Sequence, residues 1–281
     1  MSRLMAVLVV VSFALATVVA VAEEQGQVFT YGGQADSKAA FDTKVSGVAH
    51  VLLGQENARS EMTLDLKVDT GIGLRIVEVG GDKQRRELSV KDLSISVNGE
   101  VRAQPEPQPM TYEMTPTGAI TEVQQPDAGE PDLLTAGGAD PGLLMVLSQC
   151  LHFSPDPVRV GDSWETRDKV KMPSGKELDV GAKSTLDGRV GNILQITTVM
   201  DTPTAMDVAA FNVSTTGTLH AELKRTFDLD RGMVVACKGP VVIALTGTFG
   251  GPGGMPVAVN SGLEMEMKAA SAEAAEEQPA T

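Results

Sequence analysis

Three histidines, two cysteines and 37 carboxylates are the side chains of this 281-residue chain with chemistry to offer. His152 follows Cys150 by two residues, and His220 precedes Glu222 by two. A structural zinc site needs four ligands, usually as two spaced pairs, and no second pair accompanies either. His50, between Ala49 and Val51, stands alone in an apolar strand pattern. No Gly-x-Ser-x-Gly elbow offers a serine nucleophile, and a Ser-His-Asp set assembled in space leaves no spacing to read. Glycoside hydrolysis needs two carboxylates facing across a cleft, so their abundance decides nothing. Such clefts also carry aromatic platforms, and the chain has one Trp and two Tyr. Asp228-Leu229-Asp230-Arg231-Gly232 imitates the start of a calcium loop but lacks its third acid and its later Glu. The glycines of GTFGGPGG, residues 247–254, are followed closely by no Lys and make no phosphate loop. No catalytic residue, metal ligand or cofactor is therefore expected.

Apolar side chains carry more signal. Met62, Leu64, Leu66 and Val68 alternate with Glu61, Thr63, Asp65 and Lys67, the pattern of a strand with one buried and one wet face. Thirteen methionines include Met62, Met145, Met233, Met265 and Met267 on such apolar faces. Methionine adapts to irregular partners, so these positions suit either a flexible hydrophobic ligand or gap-filling in a core. Trp164, the sole Trp, suits packing over a sheet edge or helix, or stacking on a ligand. The candidate ligand-binding set is Met62, Leu64, Leu66, Met145, Trp164 and Met265. Cys150 and Cys237 are a candidate disulfide in an oxidising compartment, with two separate buried thiols as the alternative.

These residues must be positioned by strands. Lys44–Leu53, Arg59–Val68 and Ile72–Val79 are joined by turn residues, as in an antiparallel meander. Leu88 and Val90 share one phase and Leu93, Ile95 and Val97 the other, which predicts a bulge at Lys91-Asp92. Asn98-Gly99 predicts a hairpin. QQPDAGEPDLLTAGGADPG, residues 124–142, reads as a surface loop or bridge. Leu143–Phe153, apolar almost all round, reads as the one helix. Strand patterns resume from Asp162 to Met267, and the Ala/Glu-rich end is expected to fray. The expected fold is mainly β: an antiparallel meander forming a curved sheet or half-barrel with one short apolar helix. The expected division is 1–22 signal, 23–123 β-rich half, 124–153 loop and helix, 154–267 β-rich half and 268–281 tail. Whether the halves form one sheet or two packed units is not readable from the pattern.

Arg3 precedes a long apolar run, Leu4–Ala22, that ends in Ala20-Val21-Ala22 before Glu23-Glu24. A basic start, apolar core and small-x-small end read as a cleaved secretory signal, with an uncleaved anchor as the alternative. An exported protein of the periplasm or cell envelope follows, with no further segment apolar enough for a spanning helix. The net charge of −14 argues against nucleic acid and against anionic lipid as partners. Scarce aromatics, 4%, argue against the girdles of an outer-membrane barrel.

FSPDPVRVGDSW at 153–164, TYEMTPTGAI at 111–120 and TFDLDRGMVV at 226–235 resemble segments of uncharacterised exported bacterial β-proteins, a family of unknown function. In that family a strand like Pro-x-x-Val-Gly-Asp-x-Trp follows a small helix, so the resemblance implies a fold and no activity. More loosely, the architecture resembles periplasmic lipoprotein carriers, which curl a sheet round a helix to hold acyl chains. Three functions remain open: a non-catalytic protein binding a lipid or apolar small molecule on a concave sheet; a cell-envelope module binding another protein; and a carboxylate-based hydrolase.

Overall fold

The structure, a computed structural model, describes residues 26–55, 59–103, 108–124, 148–149, 151–171, 177–208, 213–250 and 253–270. Period-2 alternation becomes six strands before residue 125: β1 (Lys38–Leu53), β2 (Ser60–Val79), β3 (Gln84–Val97), β4 (Glu100–Ala103), β5 (Met110–Met114) and β6 (Ile120–Gln124). Six more follow residue 162: β7 (Ser163–Lys171), β8 (Glu177–Val190), β9 (Ile193–Val208), β10 (Val213–Asp228), β11 (Met233–Phe249) and β12 (Met255–Ala269).

The expected half-barrel is instead a closed barrel of eleven strands, with β4 outside it on β3. Closure comes from pairings distant in sequence. The first long strand, β1, zips antiparallel to the last, from Phe41↔Ala269 to Leu53↔Val257. β2 pairs with β1 on one side and β3 on the other. Strands from both sides of the 124–153 segment thus share one sheet. The bulge expected at Lys91-Asp92 is present: Asp92 takes φ +51° and the β2–β3 register shifts there. Gly47 faces inward where an added Cβ would meet the Gly262 carbonyl oxygen at 2.1 Å, so the strand can coil sharply at that corner only without a side chain.

Most inward positions are apolar, and charges lie mainly outward. Phe41, Val45, Leu219, Leu223, Met265 and Met267 are buried, whereas Asp42, Lys44, Glu222, Lys224, Glu264 and Lys238 are exposed. That is the reverse of a barrel whose outer wall faces lipid. No helix among the described residues is long and apolar enough to cross a membrane.

Eight strands enclose a space that side chains can fill; eleven enclose more. Here one end is filled by two inserted segments, residues 26–34 and the described residues 148–149 and 151–158, which meet at the Gln27↔Val158 bridge. Phe29, Tyr31, Phe153 and Phe227 cluster there, the Tyr31 and Phe153 rings each meeting Phe227 edge-on with centroids 4.9 Å apart. The helix expected over 143–153 is not supported. Residues 143–147 and 150 lie outside the described residues, Ser148 and Gln149 are helical, and Leu151–Ser154 run as irregular chain. Their backbone donors serve tertiary partners: the Leu151 amide donates to the Tyr31 hydroxyl, and the Phe153 amide to the Thr117 carbonyl.

Candidate binding site

The plugged end of the lumen is polar where it meets the plug. Arg86 and Arg225 are each 1% exposed, yet both point inward among apolar neighbours. Arg86 Nη2 donates to Gln84 Oε1 at 2.9 Å and to the Gly232 carbonyl at 2.8 Å, and its guanidinium lies 4.9 Å over the Tyr31 ring. Gln84 Nε2 donates to the Tyr31 carbonyl at 2.9 Å. Arg86 thus ties β3, the plug and the β10–β11 turn together. Deeper in, Gln149 Nε2 donates to Met267 Sδ at 3.0 Å, and Met267 stands in register with Cys237 and Thr43. Burial pushes the Cys237 thiol well above its usual range, with Arg225 alongside pulling the other way. Cys237 is a free thiol here; its expected partner Cys150 lies outside the described residues.

At the opposite end, the open end, inward side chains of the described residues are part-exposed. Moving along the inward face of β2 away from the plug, Val68 is buried, Leu66 and Leu64 are half-buried, and Met62 is 46% exposed. β10, β11 and β12 also carry part-exposed apolar side chains there, although Val257 and Thr215 between them are buried. Val213 and Val259 are half-buried, and Phe249 and Met255, on the inward phase of their strands, are 39% and 42% exposed. Register sets these in two rows, four residues apart along β12: Met62 opposes Val51 and Val51 opposes Val259, while nearer the strand ends Phe249 opposes both Val213 and Met255. Leu93 and Val97 of β3 are half-buried against the same core.

Of the six residues singled out from sequence, Met62, Leu64 and Leu66 therefore line the open mouth. Met265, fully buried, stands in register with Val45, two rungs deeper, and belongs to the floor. Trp164 is set apart on β7, 8% exposed, its indole donating to the His152 carbonyl at 2.8 Å. Met145 lies outside the described residues. The pattern-based reading passed over Arg86, Arg225 and Asp168. The signal was present: each is a charge on the apolar phase of its strand, Arg86 with Leu88, Arg225 with Leu223 and Phe227, and Asp168 with Val170.

The wall has one weak line. β6 and β7 run parallel and pair only at Glu122↔Lys171. Behind this seam lies a cavity of about 30 Å³, lined by Ile120, Leu151, His152, Asp168, Ser184 and Met200 among others. That is room for about one water. His152 Nδ1 meets the two Asp168 oxygens at 2.9 and 3.1 Å, and the Ser184 and Thr198 hydroxyls bond at 3.0 Å. An acid and a base thus meet, but no hydrogen bond joins His152 to a hydroxyl nucleophile among the described contacts. A larger hollow of about 490 Å³ is open, lies on the outer wall and carries Asp42, Lys44, Asp69, Asp92, Glu266 and Lys268. Outer-wall ion pairs hold the Asp179 carboxyl, through Arg167, and the Glu266 carboxyl, through Lys268, below their ordinary range.

Comparisons with known proteins add little. No family model matches the chain, and no curated protein does. A solved structure from work on lipid–protein interactions in lipovitellin aligns with 89% of this chain and 27% of its own, at 12% identity and a TM-score of 0.41. At that likeness nothing about ligand or activity transfers.

Proposed function

We propose that the chain is an exported, non-catalytic β-barrel that holds an apolar ligand or lipid in the open end of its lumen. One observation carries the reading: the inward apolar face does not end where packing ends. It continues through Leu66, Leu64 and Met62, and through Phe249 and Met255, with side chains still part-exposed. Contiguous exposed apolar surface costs solubility and marks a place where something binds. Met265 and Val45 then form the floor that the ligand's far end meets. Export rests on the signal-like Leu4–Ala22 run.

The second reading, an envelope module that binds another protein, is favoured by the packed plug and by the small size of the seam cavity. The two separate in a titration with N-phenyl-1-naphthylamine, a neutral apolar dye. The lumen reading expects the chain to enhance its emission, and expects Leu66→Asp to weaken binding about tenfold, the effect of ~1.4 kcal/mol. Lys67→Ser, one residue away and outward, should change nothing. Equal binding by Leu66→Asp and the parent chain would move the assignment to the protein-binding module.

A further inference from the structure

The open end has a second property, carried by charge and not by cavity. Across the chain 21% of residues are charged, yet Gly239–Leu263 contains no Asp, Glu, Lys or Arg, and neither does Val208–Ala221. Val45–Gln55 adds a third such stretch, broken only by His50. The fold sets these stretches side by side. They form the open-end halves of β10, β11, β12 and β1, joined by Val213↔Phe249, Phe249↔Met255 and Leu53↔Val257. Four adjacent strands thus present an outer wall of Ser214, Thr216, Thr246, Thr248, Pro256 and Asn260 in place of the charged alternation found elsewhere, with His50 and His220 at its borders against Glu61 and Asp201. Apolar side chains break its surface. Phe249 and Met255 stand at the rim, and Val48 and Val242, 37% and 45% exposed, flank Gly262 from either side.

We infer that this uncharged four-strand side of the open end docks on a net-neutral lipid surface, sinking Phe249 and Met255 to the level of the headgroups with the rim of the mouth against the lipid. Uncharged hydroxyl and amide side chains can satisfy themselves at headgroup depth, where a buried charge would be costly. Without Lys or Arg the surface gains nothing from anionic lipid, and the chain's net charge of −14 opposes it. A zwitterionic bilayer fits both facts. The rim that meets the lipid is the rim of the mouth, so the inference rests on the lumen reading for its purpose and on the charge pattern for its substance.

The test uses residues 23–281, which hold every described strand and leave out the apolar Leu4–Ala22 run that would itself bind vesicles. Flotation with phosphatidylcholine vesicles should carry the chain upward, and mixing in phosphatidylserine should weaken the association. The double variant Phe249→Glu, Met255→Glu should lower the vesicle-bound fraction about tenfold. Val190→Glu, at a 77% exposed position on the plugged end, should leave it unchanged. Circular dichroism checks folding, and if the double variant does not fold, Val242→Glu reads the same wall. The inference is overturned if the chain ignores phosphatidylcholine, if phosphatidylserine strengthens binding, or if the tip variants float like the parent. Light scattering that finds a dimer converted to monomer by the tip variants would assign the surface to a second copy. A chain that takes up the dye but ignores vesicles removes this inference and leaves the lumen reading; vesicle binding without dye uptake does the reverse.

Discussion

At the residue scale, the plug is held by close approach as much as by hydrogen bonds. Gly118 takes φ +99°, and a Cβ there would lie 2.2 Å from the Leu151 carbonyl oxygen and 2.4 Å from the Tyr31 ring. Both contacts belong to the plug. Gly118→Ala is therefore expected to cost more than ~2 kcal/mol, because strained backbone and overpacking add. Gly191→Ala is the control: φ is +60°, but nothing lies within 4 Å, so only the backbone cost of about 1–2 kcal/mol applies. Urea unfolding of both variants checks this, and equal losses would mean that the plug yields to the added methyl. Gly118 was legible as a turn residue in TPTG, but its meeting with Leu151 joins segments far apart in sequence and had no local signature. Arg86 shows the same limit. Its position on an apolar phase was readable; its acceptor, the Gly232 carbonyl, was not.

At the element scale, the β6–β7 seam stands out because every other neighbouring pair in the ring is an antiparallel ladder. β7 pairs with β8 from Ser163↔Thr185 to Lys171↔Glu177, but its other edge meets β6 only at Lys171. Natural sheets protect such edges with charges, including inward-pointing ones, and β7 carries Lys169 and Lys171 outward and Asp168 inward. Asp168 is satisfied there by His152 of the plug. Hydrogen exchange should show the consequence: every second amide of β7 exchanges quickly, whereas β10, laddered on both sides, is protected throughout. Uniform protection along β7 would contradict an open seam. The strands themselves were legible because Met62–Val68 and Leu219–Phe227 alternate cleanly, and the parity change at Lys91-Asp92 located the bulge. In LLMVLSQCLHF the all-round hydrophobicity could not mark where helix stops: Ser148 and Gln149 are helical, whereas the Leu151 and Phe153 amides turn to tertiary partners.

At the scale of the molecule, two pairings decide the architecture. β1 with β12 joins the ends of the described chain, and β2 with β3 completes the ring. Alternation told which side chains share a face, but not that the sheet closes, since closure depends on partners more than two hundred residues apart, such as Phe41 and Ala269. Closure changes what the sequence-derived set means. Met62, Leu64 and Leu66 lie where the inward face becomes part-exposed, Met265 is buried below them, and Trp164 is packed apart on β7. The proposed ligand site rests on an eleven-strand wall that is packed at one end and apolar but part-exposed at the other. Native mass spectrometry of the chain, purified from its own cells and measured before and after organic extraction, tests this most directly. The account predicts a bound lipid-sized mass that extraction removes and that Leu66→Asp lacks; a bare polypeptide mass in every preparation would contradict it.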